Sequence, residues 1–205
     1  MEILNNNIKL KVKNLTKKMD DKVVLNNISF NVYEGEFLSI LGLSGCGKTT
    51  LLRILIGLEK QSAGTIHKGS KEISNLECSK RGMGILIQNY ALFPNITVLQ
   101  NVEYGIQIQK KSKNEAHEIA LMTLDQLGMM EQLDKRPNQL SGGQQQRVAI
   151  ARTLALKPDL ILLDEPISAL DVTNREIMKQ ELKRIQKQFN STMVYVTHEQ
   201  EEAFY

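Results

Sequence analysis

The chain holds two cysteines, Cys46 and Cys78, among its 205 residues. That is too few for a disulfide framework, and both are expected to be free thiols in a reducing cytosol. Proline is nearly as scarce, at 4 residues, and the 13 glycines follow no collagen period. Low-complexity linkers and solenoid-length repeats are missing. No apolar run approaches the roughly 20 residues of a bilayer-spanning helix; Leu160 to Leu163 is one of the short runs present. Met1 to Lys11 has no apolar core behind its charges, so no secretory signal is expected. Basic residues are scattered: Lys+Arg 26 against Asp+Glu 23 gives a net charge of +3 and a pI near 8.8. This balance makes no case for nucleic acid. It leaves a mildly basic surface that serves solubility or an anionic membrane face. What is present, 41% hydrophobic and 24% charged residues, is the composition of a globular domain with one core and room for an inserted lobe.

From Ile8 to Val32 apolar and polar residues alternate, which predicts half-buried antiparallel strands around a turn at Met19 to Lys22. Phe37 to Leu41 suits a buried strand, and Thr49 to Leu58 a helix directly after a glycine-rich loop. Gly64 to Gly69 and Gly84 to Gln88 read as further strands, the first still in the antiparallel part. Thr97 to Gln109 and Asn114 to Leu127 read as helices, the second with Asn114 as N-cap and Gly128 as stop. Ser141 and Gln144 have the spacing of a capping box, predicting a helix from Gly142 to Leu156 that Pro158 ends. The last third reads as strand Leu160 to Leu163, a helix from about Arg175 to Phe189 with one core-packing stripe, and strand Thr192 to Thr197. Strands alternating with helices imply a parallel sheet. His67 and His117 have no second His or Cys at ligand spacing and are expected at the surface.

Gly42-Leu43-Ser44-Gly45-Cys46-Gly47-Lys48-Thr49 fits the phosphate-loop pattern between a buried strand and a helix, the context that pattern requires. Its glycines turn backbone N–H groups inward around phosphates, and the helix N-terminus adds positive potential. Lys48 then reaches the outer phosphates, Thr49 ligates Mg²⁺, and Thr50 joins the binding set. Asp164 and Glu165 follow the apolar run at Leu160, where a parallel sheet presents its ligand edge. Asp164 is the candidate metal residue and Glu165 the candidate general base. Alone, such an Asp-Glu pair also reads as a solvated turn. Leu140-Ser141-Gly142-Gly143-Gln144 puts a glycine pair at a capped helix start, a second anion site. One nucleotide does not need two such sites from one chain, whereas two copies across a two-fold axis would use both.

This ordered set resembles the nucleotide-binding subunit of an ATP-binding cassette (ABC) transporter. The likeness covers essentially the whole chain, and Leu140 to Gln144 matches the family signature, which is far more specific than the phosphate loop. The resemblance implies an α/β fold: a P-loop NTPase core of the ABC ATPase type with an antiparallel N-terminal β part and an inserted helical lobe. Residues 1–88 and 159–205 would form the ATP-binding core and 89–158 the signature lobe. ATP and Mg²⁺ are the implied cofactors. Gln88 matches the glutamine that touches Mg²⁺ and the lobe hinge, and Ser168-Ala169-Leu170-Asp171 resembles the D-loop, with Asp171 in the nucleotide set. His198, before Glu199 and Gln200, matches the histidine that contacts the γ-phosphate. Taken singly, Gln88 also reads as a polar strand end, Asp171 as an N-cap and His198 as a surface imidazole. Lys48, Glu165 and His198 become the catalytic set and Thr49, Gln88 and Asp164 the metal set. Ser141, Gly142, Gly143 and Gln144 close over the nucleotide of a second copy.

The implied function is ATP hydrolysis by a homodimer at the cytoplasmic face of a membrane. It would drive transmembrane permease subunits received around Gln88 to Val102. Tyr90 to Val98 resembles importers of polyamines, sulfate, ferric iron or phosphonates, and also reads as a packed loop. Two features depart from the family. An aromatic usually stacks on adenine where this chain has Met19, whose thioether covers a ring without π-stacking. The chain also ends at Tyr205, a few residues into the helix expected after His198, where family members continue for some dozens of residues. Other readings are a soluble cassette ATPase of DNA repair or translation, a nucleotide-holding regulatory subunit, and a phosphotransferase. The first usually carries a coiled-coil insertion or a second cassette, neither of which is seen. Intact Lys48, Glu165 and His198 argue against the second, and the signature has no role in the third.

Overall fold

The computed structural model describes residues 7–20, 22–87, 89–167 and 172–198, with the backbone alone for 172–174. In chain order the elements are β1 (Ile8–Met19), β2 (Lys22–Tyr33), β3 (Phe37–Leu41), α1 (Lys48–Ile56), β4 (Ala63–Lys68), β5 (Lys71–Glu72), β6 (Met83–Leu86), α2 (Val98–Ile108), α3 (Lys113–Gln126), α4 (Gly142–Leu154), β7 (Leu160–Asp164), α5 (Val172–Gln188) and β8 (Met193–Thr197). They divide into two compact units, one of Met1–Ile85 with Asp159–Tyr205 and one of Leu86–Pro158.

The first unit contains two sheets. The antiparallel one runs β2-β1-β4-β5, and its hairpin closes with Met19 opposite Lys22. β1 is bulged between Val12 and Leu15, where Asn14 takes a left-handed φ of 52°. β4 passes close to this bulge at Gly64, whose φ is +92° and where an added Cβ would lie 2.4 Å from the Asn14 carbonyl oxygen. Only glycine fits there. The second sheet runs β3-β8-β7-β6, with β8 parallel to both β3 and β7. Every residue of β7 and β8 is buried, as befits strands covered on both faces. Leu52 and Leu55 of α1, Leu160 and Leu162 of β7, and Val194 and Val196 of β8 share one core with Leu10, Leu15 and Ile66 of the antiparallel sheet.

Arg81 closes the C-terminal end of α1 from inside this unit. It is 2% exposed. Its guanidinium donates to the carbonyls of Ile54 and Leu55 at 2.8 Å each, of Leu76 at 2.8 Å and of Ser74 at 3.0 Å. The last carbonyls of a helix lack intrahelical partners, so this one fork replaces the water that burial excludes.

The second unit packs α2, α3 and α4 around Val102, Ile106, Ala120, Leu124, Val148 and Ala151. Each of these helices starts with a capping box, Thr97 with Gln100, Ser112 with Glu115 and Ser141 with Gln144. Ser112 therefore replaces Asn114 as the cap of α3, because the Ser-x-x-Glu box satisfies two donors where Asn114 alone would satisfy one. α4 ends at Leu154 rather than Leu156, four residues before Pro158, and Lys157 turns the chain at a left-handed φ of 50°. α5 starts at Val172, earlier than the apolar stripe alone indicated. His67 is half-buried in β4 opposite Glu72, and its Nδ1 has no hydrogen-bond partner, so it is not the surface residue expected. His117 is exposed and pairs with Glu103 at 2.7 Å. Among the described residues no helix is long and apolar enough to cross a membrane.

Replacing Arg81 with Leu removes the side-chain donors to four carbonyls, three of them in buried contacts. We expect a loss of about 3 kcal/mol of stability, read as a lower midpoint in urea unfolding with little change in slope.

Candidate functional site

The C-terminal ends of β3, β8 and β7 lie side by side because β8 pairs with both neighbours in parallel. Gly42 follows β3, His198 follows β8, and Asp164 and Glu165 end and follow β7. The pairing thus gathers residues that are far apart in the chain at one edge of the sheet, where open α/β sheets bind ligands. The backbone N–H of Gly42 donates to the Thr197 carbonyl at 3.2 Å and ties the loop to this edge.

The loop then turns into α1 at Gly47, whose φ is +99° and where an added Cβ would lie 3.0 Å from the Val24 carbonyl oxygen and the Leu25 side chain. A side chain at 47 is excluded on both counts. Gly47 offers α1 no side-chain cap, and the first turn holds no acidic residue. Of the α-helices whose N-caps are described, α1 is the one whose first-turn N–H groups are left to an external acceptor, while α2, α3 and α4 all cap themselves. Ser44 and Cys46 are exposed in the loop and Thr50 is half-buried in the first turn.

Lys48 is 8% exposed and donates to the carbonyls of Gly42 at 2.8 Å and Leu43 at 3.0 Å. Its ammonium also lies 3.5 Å from Glu165 Oε1. The other oxygen of Glu165, Oε2, lies 3.1 Å from His198 Nδ1, so the carboxylate bridges the lysine and the imidazole. Glu165 has a left-handed φ of 45°, a strained backbone of the kind that gathers at functional sites. Thr49 donates its hydroxyl to Asp164 Oδ1 at 3.2 Å, and this pair of hard oxygen donors at the buried end of β7 suits Mg²⁺. Burial pushes the Asp164 carboxyl above the ordinary carboxylate value, with the Glu165 charge acting in the same direction. The Thr49 hydroxyl and the Lys48 and Arg53 charges pull against it.

The structure therefore brings Gly42, Lys48, Thr49, Asp164, Glu165 and His198 together within the first unit. Met19 ends β1 in the same unit and is 41% exposed. Ser141 to Gln144 begin α4 in the second unit. There the capping box consumes two donors: the Gln144 N–H goes to Ser141 Oγ at 3.3 Å and the Ser141 N–H to Gln144 Oε1 at 3.0 Å. Among the described residues, their own helix backbone aside, nothing lies within 4 Å of a Cβ added at Gly142 or Gly143, so packing there does not require glycine at either position. Gln88, Ser168 to Leu170 and Asp171 lie outside the described residues.

Residues 25–168 match the family described as ABC transporter. The chain belongs to the ABC transporter family. Its α/β fold is the ABC ATPase fold. An ATP-binding cassette, MJ0796, solved as a dimer in a post-hydrolysis state bound to ADP and Pi, superposes with a TM-score of 0.79 at 38% identity over 95% of this chain and 90% of that one. The spermidine/putrescine import ATP-binding protein PotA of Acetivibrio thermocellus is 46% identical over 200 residues, covering 98% of this chain and 57% of that protein. The Fe(3+) ions import ATP-binding protein FbpC of Fusobacterium nucleatum is 45% identical over 196 residues, covering 96% and 53%. This ABC transporter chain thus spans little more than half the length of those two relatives.

The raised pKa of Asp164 means that the folded chain binds this proton more tightly than the unfolded chain, so ionised Asp164 costs stability. The cost is complete above the folded pKa and vanishes below the unfolded value of about 4. Asp164→Asn is therefore expected to raise the thermal midpoint at neutral pH. Its advantage over the wild type should shrink as pH falls toward about 4, as scanning calorimetry across pH would record.

Proposed function

We propose that this chain binds and hydrolyses MgATP as one of two ATPase copies that energise a membrane importer. The observation that carries the reading is the uncapped start of α1 facing a lysine whose ammonium already lies against the loop carbonyls and Glu165. The residues from Gly42 through Ser44, Gly45, Cys46 and Gly47 to Thr50 wrap the phosphates of ATP with backbone donors, and Lys48 exchanges its contact with Glu165 for phosphate oxygens. Thr49, Asp164 and Gln88 are the residues that would hold Mg²⁺, which when bound supplies positive charge against the phosphates. Glu165 orients and deprotonates the attacking water, and His198, already bonded to Glu165, holds that carboxylate in place. Met19 covers the adenine.

Two copies are favoured by Gly142 and Gly143, whose lack of side chains has no packing cause among the described residues. A second copy approaching the first turn of α4 would supply that cause, with Ser141, Gly143 and Gln144 facing its nucleotide. The dimeric relative bound to ADP and Pi supports this arrangement.

The relatives named as polyamine and ferric iron import proteins are 46% and 45% identical to this chain, so similarity supports an importer without separating the two solutes. The permease subunits would be met at Gln88 to Val102. There Asn101, fully buried, donates to the carbonyls of Phe93 at 3.1 Å and Thr97 at 2.9 Å and accepts the Phe93 N–H at 2.8 Å. The loop is thereby set to present Phe93 against Tyr104, ring centroids 4.7 Å apart and both partly exposed. An aromatic pair held on a rigid loop suits a protein anchor. The chain would then sit peripherally on the cytoplasmic membrane face.

ATP turnover measured across protein concentration tests this reading. Specific activity is expected to rise with concentration, and Glu165→Gln to lower turnover by about 10²- to 10⁴-fold while ATP still binds. Turnover that is absent or independent of concentration excludes the two-copy engine. Met19→Tyr is expected to tighten ATP binding by roughly 3- to 10-fold through ring stacking, as titration calorimetry would read.

A further inference from the structure

The turn after position 88 is held in a shape it would not keep alone. Tyr90 and Ala91 are consecutive non-glycine residues with left-handed φ values of 58° and 44°. The Ala91 N–H closes back on the Asn89 carbonyl at 2.6 Å. Both carbonyls that this twist presents are taken by one side chain: Arg152 donates from Nη2 to Tyr90 O at 2.8 Å and from Nη1 to Ala91 O at 2.7 Å. The same guanidinium lies over the Phe93 ring at 5.6 Å. Nearer the start of α4, Gln146 accepts the Tyr90 hydroxyl at 3.2 Å. Gln146 is fully buried and its Nε2 has no hydrogen-bond partner. A buried amide left half-satisfied costs more than an apolar side chain of its size, so packing alone does not account for glutamine here.

Tyr90 is thus fastened at its carbonyl to the last turn of α4 and at its hydroxyl to Gln146, five residues after Ser141. We propose that Arg152, Gln146 and Tyr90 are positioning residues that lock turn 89–91 to α4, so that a movement of the chain at position 88 reaches Ser141 to Gln144 as a displacement of the whole helix. The assignment rests on the ATPase reading, in which Gln88 answers to nucleotide and the start of α4 meets a second copy. A lysine at 152 keeps the charge but does not take two carbonyls in one plane, which makes Arg152→Lys the discriminating variant.

The test is backbone amide exchange of residues 87–93 and 141–147, with and without MgATP, in the wild type, Arg152→Lys, Tyr90→Phe and Gln146→Leu, beside kcat and KM. Arg152→Lys is expected to speed exchange in the turn by about tenfold without nucleotide. It should also abolish the response of 141–147 to ATP and lower kcat by about tenfold, with KM within about twofold of wild type. Tyr90→Phe and Gln146→Leu, which keep the fork, should lose less kcat and follow the same pattern. Wild-type exchange and kcat in Arg152→Lys overturn the proposal. So does faster exchange spread evenly over 86–158, which marks a merely structural role. Should Arg152→Lys fail to fold, Tyr90→Phe carries the same comparison. If the wild type binds no MgATP, the ATPase reading fails instead, and the nucleotide-free exchange decides the clamp: acceleration confined to the two segments supports it, and none overturns it.

Discussion

β8 is hydrogen-bonded along both edges, from Phe37 opposite Met193 to Leu41 opposite Thr197 on one side and from Ile161 opposite Met193 to Asp164 opposite Val196 on the other. This double parallel register puts three strand ends level, and the chemistry of the first unit follows from that alignment. A slip of one residue in either ladder would turn the neighbouring side chains to the opposite face. Asp164 would then leave Thr49, and the Glu165 bridge between Lys48 and His198 would open. The apolar residues that fill both faces of β7 and β8 are what make such a slip costly.

With the strand ends aligned, the site is a local imbalance of charge and donors. α2, α3 and α4 spend side chains to satisfy their first turns, whereas α1 begins on a glycine and spends none. In its place stand a buried ammonium, a carboxylate on a strained backbone and a second carboxyl that burial makes reluctant to ionise. Such a set is expensive in the folded chain by itself and gains from a phosphate and a divalent cation, which is the logic of the proposed ATPase.

Two arginines use the same physics for different ends. Arg81 spreads its fork over the carbonyls that end α1 and stabilises a core. Arg152 spreads its fork over the carbonyls of a twisted turn and, in the proposal above, holds that turn to α4. Both positions need the planar guanidinium because two acceptors diverge from one point, a geometry that an ammonium meets only one acceptor at a time. Neither residue stands out in the sequence: each is one basic residue among 26.

Local chemistry was legible before any fold was known. The alternation of Ile8, Leu10 and Val12, the Ser141 to Gln144 box and the phosphate loop are read within a few residues, because strand pleat, helix caps and backbone anion binding act over that range. The cap of α3 falls two residues before Asn114 even so, since Asn114 and Ser112 are both good caps and only the reciprocal bond of Glu115 chooses between them. Only the tertiary structure decided what Lys48 touches, that Glu165 bridges it to His198, that Gly142 and Gly143 have no neighbour to avoid, and that Gln146 is buried under Tyr90. These are contacts between residues brought together by register and packing, and a linear pattern of types holds no information about which distant polar groups a folded core will leave facing each other.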